Sequence, residues 1–264
     1  MKQNETFATL LSDASYLPGV IALHRSLRLH SNKPFVCVCS QGIDNDVLGR
    51  LHNESIEHIR LDKASVTPPR ELNANGYGHW DKTFDKLLLW SLTQYDKIVY
   101  LDADMMVCAP VDDLFLHDGF SAVAAGQRLN HSWNRLNSGL IVIEPSAQTC
   151  RELIDTAGQT ISRYSERRQS VGDQDVLNDY LPLWPEQTAL HIDEGYNIFF
   201  KHLTVYHRRF GYNFDRNIRI IHFIGQRKPW HDSRIKQQLR MLKLLKQNPY
   251  ALKPYRQYLS LMNE

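Results

Sequence analysis

With 264 residues and 42% apolar side chains, the chain can bury the core of one large α/β domain, which excludes disorder as its default state. Its 31 basic and 29 acidic residues leave a formal charge of +2, so no global field draws it to nucleic acid or to an acidic polymer. No apolar run approaches the roughly 18 residues of a membrane span and no signal-like stretch precedes Glu5, so a soluble cytoplasmic protein is expected.

Phe7 to Leu11 reads as a short buried strand. Pro18 suits a first helical turn and opens an amphipathic helix carrying Val20, Ile21, Leu23, Leu27 and Leu29, with Ser12 to Leu17 as the intervening turn. Phe35 to Ser40 is a strand, Asp44 to Leu51 a helix and Ile56 to Leu61 a third strand, the alternation of a parallel sheet. Cys37 and Cys39 alternate within the second strand, Cys108 and Cys150 stand apart, and none has zinc-ligand or redox spacing; buried, reduced thiols are expected. Residues 62–80 break the rhythm, because Pro68-Pro69, Asn73, Asn75, Gly76 and Gly78 make a long loop of the kind that serves as a lid or binding segment. Phe84, Leu87, Leu88, Ser91 and Leu92 then mark one face of a helix, and the apolar strand Lys97 to Leu101 delivers Asp102-Ala103-Asp104.

Phe120 to Ala125 and Leu140 to Ile143 are further strands, separated by a polar loop that holds Asn137-Ser138-Gly139. A helix follows from about Ala147 to Tyr164, and Gly172-Asp173-Gln174-Asp175 begins another, placing an acid near its positive terminus. Past Pro185 the alternation fades until the strand Arg219 to Phe223. The tail carries Arg234, Lys236, Arg240, Lys243, Lys246, Lys253 and Arg256 against Glu264, with Leu239, Met241, Leu242, Leu244 and Leu245 interleaved. It reads as a basic amphipathic helix, either packed with its basic face in solvent or in contact with a membrane surface or acidic partner.

Acids two apart in extended backbone point the same way, so Asp102 and Asp104 can face one cation at the carboxyl edge of a sheet, where open α/β folds bind ligands. A divalent hard cation there would screen a diphosphate and support its departure. An acid-x-acid triplet alone also occurs at ordinary surface strand ends. His222, however, ends a second apolar strand, and a neutral imidazole completes a site that two carboxylates begin. Lys228, beyond Gly225 and before Pro229-Trp230, offers an ammonium to a phosphate oxygen, while glycine permits close backbone approach.

In this order the residues resemble the glycogenin-like, family 8 retaining glycosyltransferases, which have the GT-A fold. The resemblance runs from about Phe7 to Trp230. It rests on Thr9-Leu10 through Tyr16, Lys86-Leu87 ahead of Trp90 to Tyr95, Tyr100 to Asp104, Asn137-Ser138-Gly139, Gly172-Asp173-Gln174 and His222 to Trp230. It implies a GT-A, Rossmann-like α/β domain over residues 1–233, with a mostly parallel central sheet flanked by helices, followed by the basic helical tail 234–264. The implied reaction moves a hexose from a UDP-sugar, UDP-glucose or UDP-galactose foremost, to an acceptor hydroxyl.

By that resemblance Asp102, Asp104 and His222 bind manganese, with magnesium as the alternative, and Lys228 with Gly225 holds the diphosphate. Leu10, Ser12, Asp13 and Tyr16 line the uridine site, Tyr16 offering a ring for stacking. Lys86, Asp102, Asn137, Ser138, Asp173 and Gln174 contact the donor sugar or reacting centre, Ala103 and Asp104 join the nucleotide-sugar set, and Lys86, Asp173 and Gln174 are the catalytic residues. The implied acceptor is a saccharide, a lipid-linked sugar or a small polyol. Membrane contact through the tail and homodimerisation stay open, and no nucleic-acid partner is expected.

Two positions depart from the glycogenin pattern: Asp13 replaces an asparagine near the base, and Ser170 stands where glycogenins carry an aspartate. The first bears on the uracil contact and the second on glycogenin-type acceptor chemistry, so glycogen priming is a minor reading. Two other classes share the acid pair, a metal-dependent nucleotide-sugar hydrolase or nucleotidyl transferase, and a non-catalytic nucleotide-sugar-binding protein.

Overall fold

The computed structural model describes residues 4–62, 64–73 and 78–263. In chain order the strands are β1 (Glu5–Leu11), β2 (Phe35–Cys39), β3 (Glu57–Arg60), β4 (Lys97–Leu101), β5 (Met105–Val107), β6 (Ala122–Val123), β7 (Asn137–Ile143), β8 (His191–Ile192), β9 (Ile198–Phe199) and β10 (Ile220–His222). The helices are α1 (Leu17–Arg28), α2 (Asn45–Asn53), α3 (Ala147–Glu166), α4 (Asp173–Tyr180), α5 (Leu203–Phe210), α6 (Arg234–Gln247) and α7 (Leu252–Asn263). A seven-stranded sheet has the order β3-β2-β1-β4-β7-β6-β8, and a small sheet has the order β5-β10-β9. In the large sheet β1 runs parallel to β2 and β4, and β3 parallel to β2, whereas β7 lies antiparallel to both β4 and β6.

β1 and β4 are central because they are apolar on both faces, as strands covered by helices on both sides must be. Their side chains alternate: Phe7, Leu11, Val99 and Leu101 pack with Val20, Leu23 and Leu27 of α1 and Leu51 of α2. Ala8, Leu10, Ile98 and Tyr100 instead meet Leu87, Leu88 and Trp90, Leu153 of α3 and Leu177 of α4. A third cluster joins Ile221 of β10 and Met106 of β5 to Tyr255 and Tyr258 of α7. The four cysteines are free thiols, with Cys37, Cys39 and Cys150 buried. Among the described residues no helix is long and apolar enough to cross a membrane.

Several local expectations change. Leu29 is 64% exposed, because it caps α1 and lies about 200° around the helix from Leu27. The apolar segment before β4 is a 3₁₀ helix, Gly78–Ser91, that takes in the end of the expected loop. Its threefold winding stacks Phe84, Leu87 and Trp90 inward, while Ser91 is exposed. Part of that loop, residues 63 and 74–77 with Asn75 and Gly76, lies outside the described residues. β6 has only two of the six expected residues, since Phe120 takes a positive φ of 66° and the ladder to β7 slips at Ala122/Val123. Asn137-Ser138-Gly139 is not loop but the start of β7. β8, β9 and α5 were not expected: two strands of two residues carry no periodic signal, although Gly211, at φ 74°, caps α5 and marks its end. The tail is two helices rather than one, because Pro249 has no N–H to continue α6.

Candidate active site and metal centre

Topology brings the chemistry to one sheet edge. Parallel β1 and β4 release Ser12-Asp13 and Asp102 side by side. Because β7 is antiparallel to β4, its amino end arrives at the same edge: Leu101 pairs with Leu140, and the Asp102 N–H donates to the Gly139 carbonyl at 2.8 Å. The chain then turns into β5, whose Met105 pairs with His222 of antiparallel β10, and the Phe223 N–H donates to the Asp104 carbonyl at 2.9 Å. A histidine 118 positions beyond Asp104 thereby lands beside it. Leu10, Ser12, Asp13, Tyr16, Lys86, Asp102, Ala103, Asp104, Asn137, Ser138, Asp173, Gln174, His222, Gly225 and Lys228 all line one cavity of about 880 Å³.

One ligand atom from each of Asp102, Asp104 and His222 lies within 4.8 Å of the others. His222 Nε2 stands 3.0 Å from Asp104 Oδ1 and 3.8 Å from Asp102 Oδ2. The tautomer follows from a chain of amides. The Gly139 N–H donates to Asn137 Oδ1 at 3.1 Å, which identifies that oxygen, and Asn197 Nδ2 donates to it at 2.8 Å. Asn197 must therefore turn its Oδ1 toward His222 Nδ1, 2.9 Å away, so Nδ1 carries the proton and Nε2 presents its lone pair to the acids. A lone pair 3.0 Å from a carboxylate oxygen calls for a proton or a metal ion between them, and two carboxylates with one imidazole suit a divalent metal. Gly139 makes the room, since a Cβ there would sit 2.7 Å from His222 Cε1.

The same amides reach the other wall of the cavity. Asn137 Nδ2 and the Ser138 N–H both donate to Gln174 Oε1, at 2.9 and 3.3 Å, leaving the Gln174 NH₂ as a donor. Lys86 is only 3% exposed, with Nζ 3.1 Å from Asp102 and 2.7 Å from Asp173. Burial pulls its pKa down, but the Asp102 and Asp173 carboxylates outweigh burial and hold it above the usual lysine range. Tyr100 donates to Asp102 Oδ1 at 2.7 Å, fixing that carboxylate from the strand side. Asp173 is the first residue of α4, behind Gly172 as N-cap, where the helix terminus favours negative charge.

Lys228 is buried and donates to Asp104 Oδ2 at 2.5 Å and to the Phe223 carbonyl at 3.1 Å. Burial raises the Asp104 pKa, but with a proton on the Nε2 of His222 that imidazolium and the Lys228 ammonium together reverse this and hold it well below the carboxylate range. Gly225 has φ 106°, a left-handed turn in which a side chain would be strained. Trp230 packs edge-on to Tyr16 at 5.6 Å, and a Cβ on Gly19 would lie 2.5 Å from the Ala103 carbonyl and 2.7 Å from Trp230. The first turn of α1 is thus pressed against the acid triplet and the lysine loop.

At the two departures, Asp13 caps its 3₁₀ turn by accepting from the Ser15 N–H at 2.9 Å and pairs with Lys82 at 2.7 Å. Its hydrogen bond from Lys82 is the main reason its pKa falls to about 2. Ser170 lines the cavity and donates to the Leu72 carbonyl at 3.1 Å. Asn197 and Tyr100 were missed as parts of the site. Tyr100 adjoins the acid triplet and could have been included on that ground; Asn197 stands between two-residue strands with no motif around it.

A mostly parallel α/β sheet with an acid-x-acid turn and a histidine gathered at its carboxyl edge is the architecture of GT-A glycosyltransferases. The sequence profile described as Glycosyl transferase family 8 matches residues 8–234, and the chain belongs to that family. It is 32% identical to glycogenin-1 of Caenorhabditis elegans over 87% of this chain and 52% of that protein. Inositol phosphorylceramide glucuronosyltransferase 1 of Arabidopsis thaliana is 33% identical over 68% of this chain and 30% of its own length. The chain spans about half to two thirds of the length of the glycogenin-1 proteins it matches. Among solved structures, the galactosyltransferase LgtC in complex with donor and acceptor sugar analogues superposes with a TM-score of 0.61 at 14% identity, over 98% of this chain and 95% of LgtC. At that identity the likeness concerns the fold.

Proposed function

We propose that this protein transfers a hexose from a UDP-sugar, UDP-glucose or UDP-galactose first, to an acceptor hydroxyl with retention of configuration. The observation that carries this reading is one cavity with two differently equipped walls. On one wall Asp102, Asp104 and His222 would hold a divalent cation, manganese in preference to magnesium, beside the Lys228 ammonium. When bound, such an ion supplies positive charge against a diphosphate and makes it a better leaving group. Lys228 would add a second positive charge for the departing UDP, and Tyr16 and Asp13, which line the same cavity, would receive its base.

On the other wall Lys86 holds Asp173, and Gln174 presents its NH₂ group. A carboxylate neutralised by a buried ammonium at 2.7 Å is a poor nucleophile, which supports same-face attack over a covalent link to Asp173. In this scheme the bond from sugar to phosphate breaks while the acceptor oxygen forms its bond on the same face. The acceptor proton passes to the departing phosphate oxygen, and Asp173 and Gln174 orient the sugar. We place the reaction in a reducing compartment such as the cytoplasm, a reading supported by the four free thiols.

A panel of UDP-sugars with and without manganese, scored for released UDP and by mass for modified acceptor or protein, tests the reading. Asp102→Asn and Asp104→Asn should each lower turnover at least about a hundredfold, the scale lost when charge stabilisation at a leaving group is removed. Unchanged turnover in both variants would sink the proposal, as would free sugar or a transferred nucleotide as the product.

A further inference from the structure

α6 stands out because none of its residues is buried, although six of its 14 residues are apolar. Ile235 is 70%, Leu239 60%, Leu242 58% and Leu245 55% exposed. With 3.6 residues per turn these four fall within an arc of about 120° that points away from the body of the protein. The opposite side, with Met241 and Leu244, packs on the cluster built by α7 and β10. Solvent therefore meets a mainly apolar ridge, shared with exposed Gln238 and Lys246, which a packed helix with a solvated basic face does not explain.

Charge identifies what covers the ridge. Arg234, Lys236, Lys243 and Lys246 are exposed and pair with no carboxylate among the described residues, and no acidic residue occurs between Ser233 and Asn263. Arg240 is the exception, held 3.6 Å from Asp232 at the base of the helix. A second copy on this face would bring two sets of like charges together, and the ridge is convex, so it offers no groove to a peptide. An anionic bilayer satisfies both features: its interior takes the apolar ridge, and its phosphates take the flanking cations.

We propose that α6 is an interfacial helix that seats this protein on an anionic lipid surface. Asp232 and Ser233 link it directly to the Pro229–His231 turn after Lys228, so the bound helix sets the donor cavity close to the membrane plane. The proposal concerns binding alone and does not depend on the transfer reaction. Its test is co-sedimentation of the full chain with vesicles of about 70% phosphatidylcholine and 30% phosphatidylglycerol, against pure phosphatidylcholine.

Partition should favour the anionic vesicles and weaken as salt rises, because screening shortens the reach of the cations to roughly 8 Å at physiological ionic strength. Replacing Lys236 and Lys243 by glutamine should lower partition about fivefold for each cation removed. The triple variant Leu239→Gln, Leu242→Gln, Leu245→Gln should lose at least about tenfold with its unfolding midpoint little changed, since more than half of each side chain already faces solvent. Equal partition of that variant and the parent, or no partition of the parent, would overturn the proposal. So would a dimer in size-exclusion chromatography that the triple substitution dissolves, which would assign the ridge to a second copy.

Discussion

Asn197 shows how a residue with no charge can orient a candidate metal ligand. It is 1% exposed and accepts from His222 with one end of its amide while donating to Asn137 with the other. Its polarity is imposed through Asn137 by the Gly139 N–H and is passed on to the imidazole, while Asn137 and the Ser138 N–H fix Gln174. Asn197→Ala should weaken manganese binding by about 10- to 100-fold in a calorimetric titration, the usual loss when the group orienting a histidine ligand is removed. Asn197→Asp keeps the acceptor for Nδ1–H but loses the donor to Asn137. That variant should retain most of its metal affinity and lose turnover instead. Equal metal affinity in Asn197→Ala and the parent would remove Asn197 from the site's machinery.

At the scale of elements, the site depends on how closely β7, β10 and α1 approach the acid turn. Two glycines separate closeness from backbone freedom. Gly139 is an ordinary strand residue whose missing side chain leaves space for the His222 ring, whereas Gly158, within α3, has nothing within 4 Å of where its Cβ would be. Gly139→Ala should cost about 1–3 kcal/mol in denaturant unfolding, as overpacking does, and should also weaken metal binding by displacing the imidazole. Gly158→Ala should be stabilising by about 0.5–1 kcal/mol, because alanine gives up less chain entropy in a helix. A Gly139→Ala variant with parental stability and metal affinity would show that β10 can move without cost.

For the molecule as a whole, acid sensitivity should come in part from His24, on α1 beside Phe35 of β2. Burial lowers its pKa to about 4, its ring lies 5.3 Å from that of Phe35, and its buried Nδ1 has no hydrogen-bond partner among the described residues. The sign is set by proton binding: between about 4 and the unfolded value near 6.5, the unfolded chain holds more protons than the folded one. Stability should therefore be independent of this group above about pH 6.5 and fall as the pH drops toward 4. Unfolding midpoints of the parent and of His24→Leu across that range check it: the variant should show a shallower acid limb, and identical limbs would exclude His24 as a cause.

The acid triplet, the histidine, the lysine loop and the asparagine-serine-glycine and glycine-aspartate-glutamine motifs were legible in the sequence, because each is short and its residue types fit one chemistry. The apolar runs of β1, β2 and β4 were legible too, since a strand covered on both faces needs an unbroken apolar segment. Sequence could not show that Asn137-Ser138-Gly139 opens a strand, because the antiparallel turn of β7 against β4 is a property of the sheet. Nor could it show Asn197, whose role exists only once β9 and β10 lie side by side. The same holds for the tail: its pattern marked a basic amphipathic helix, but which face turns outward depended on α7 and β10 already occupying the other. Chemistry carried by neighbours in sequence could be read directly; chemistry assembled from distant segments, and the faces those segments leave uncovered, was decided by packing.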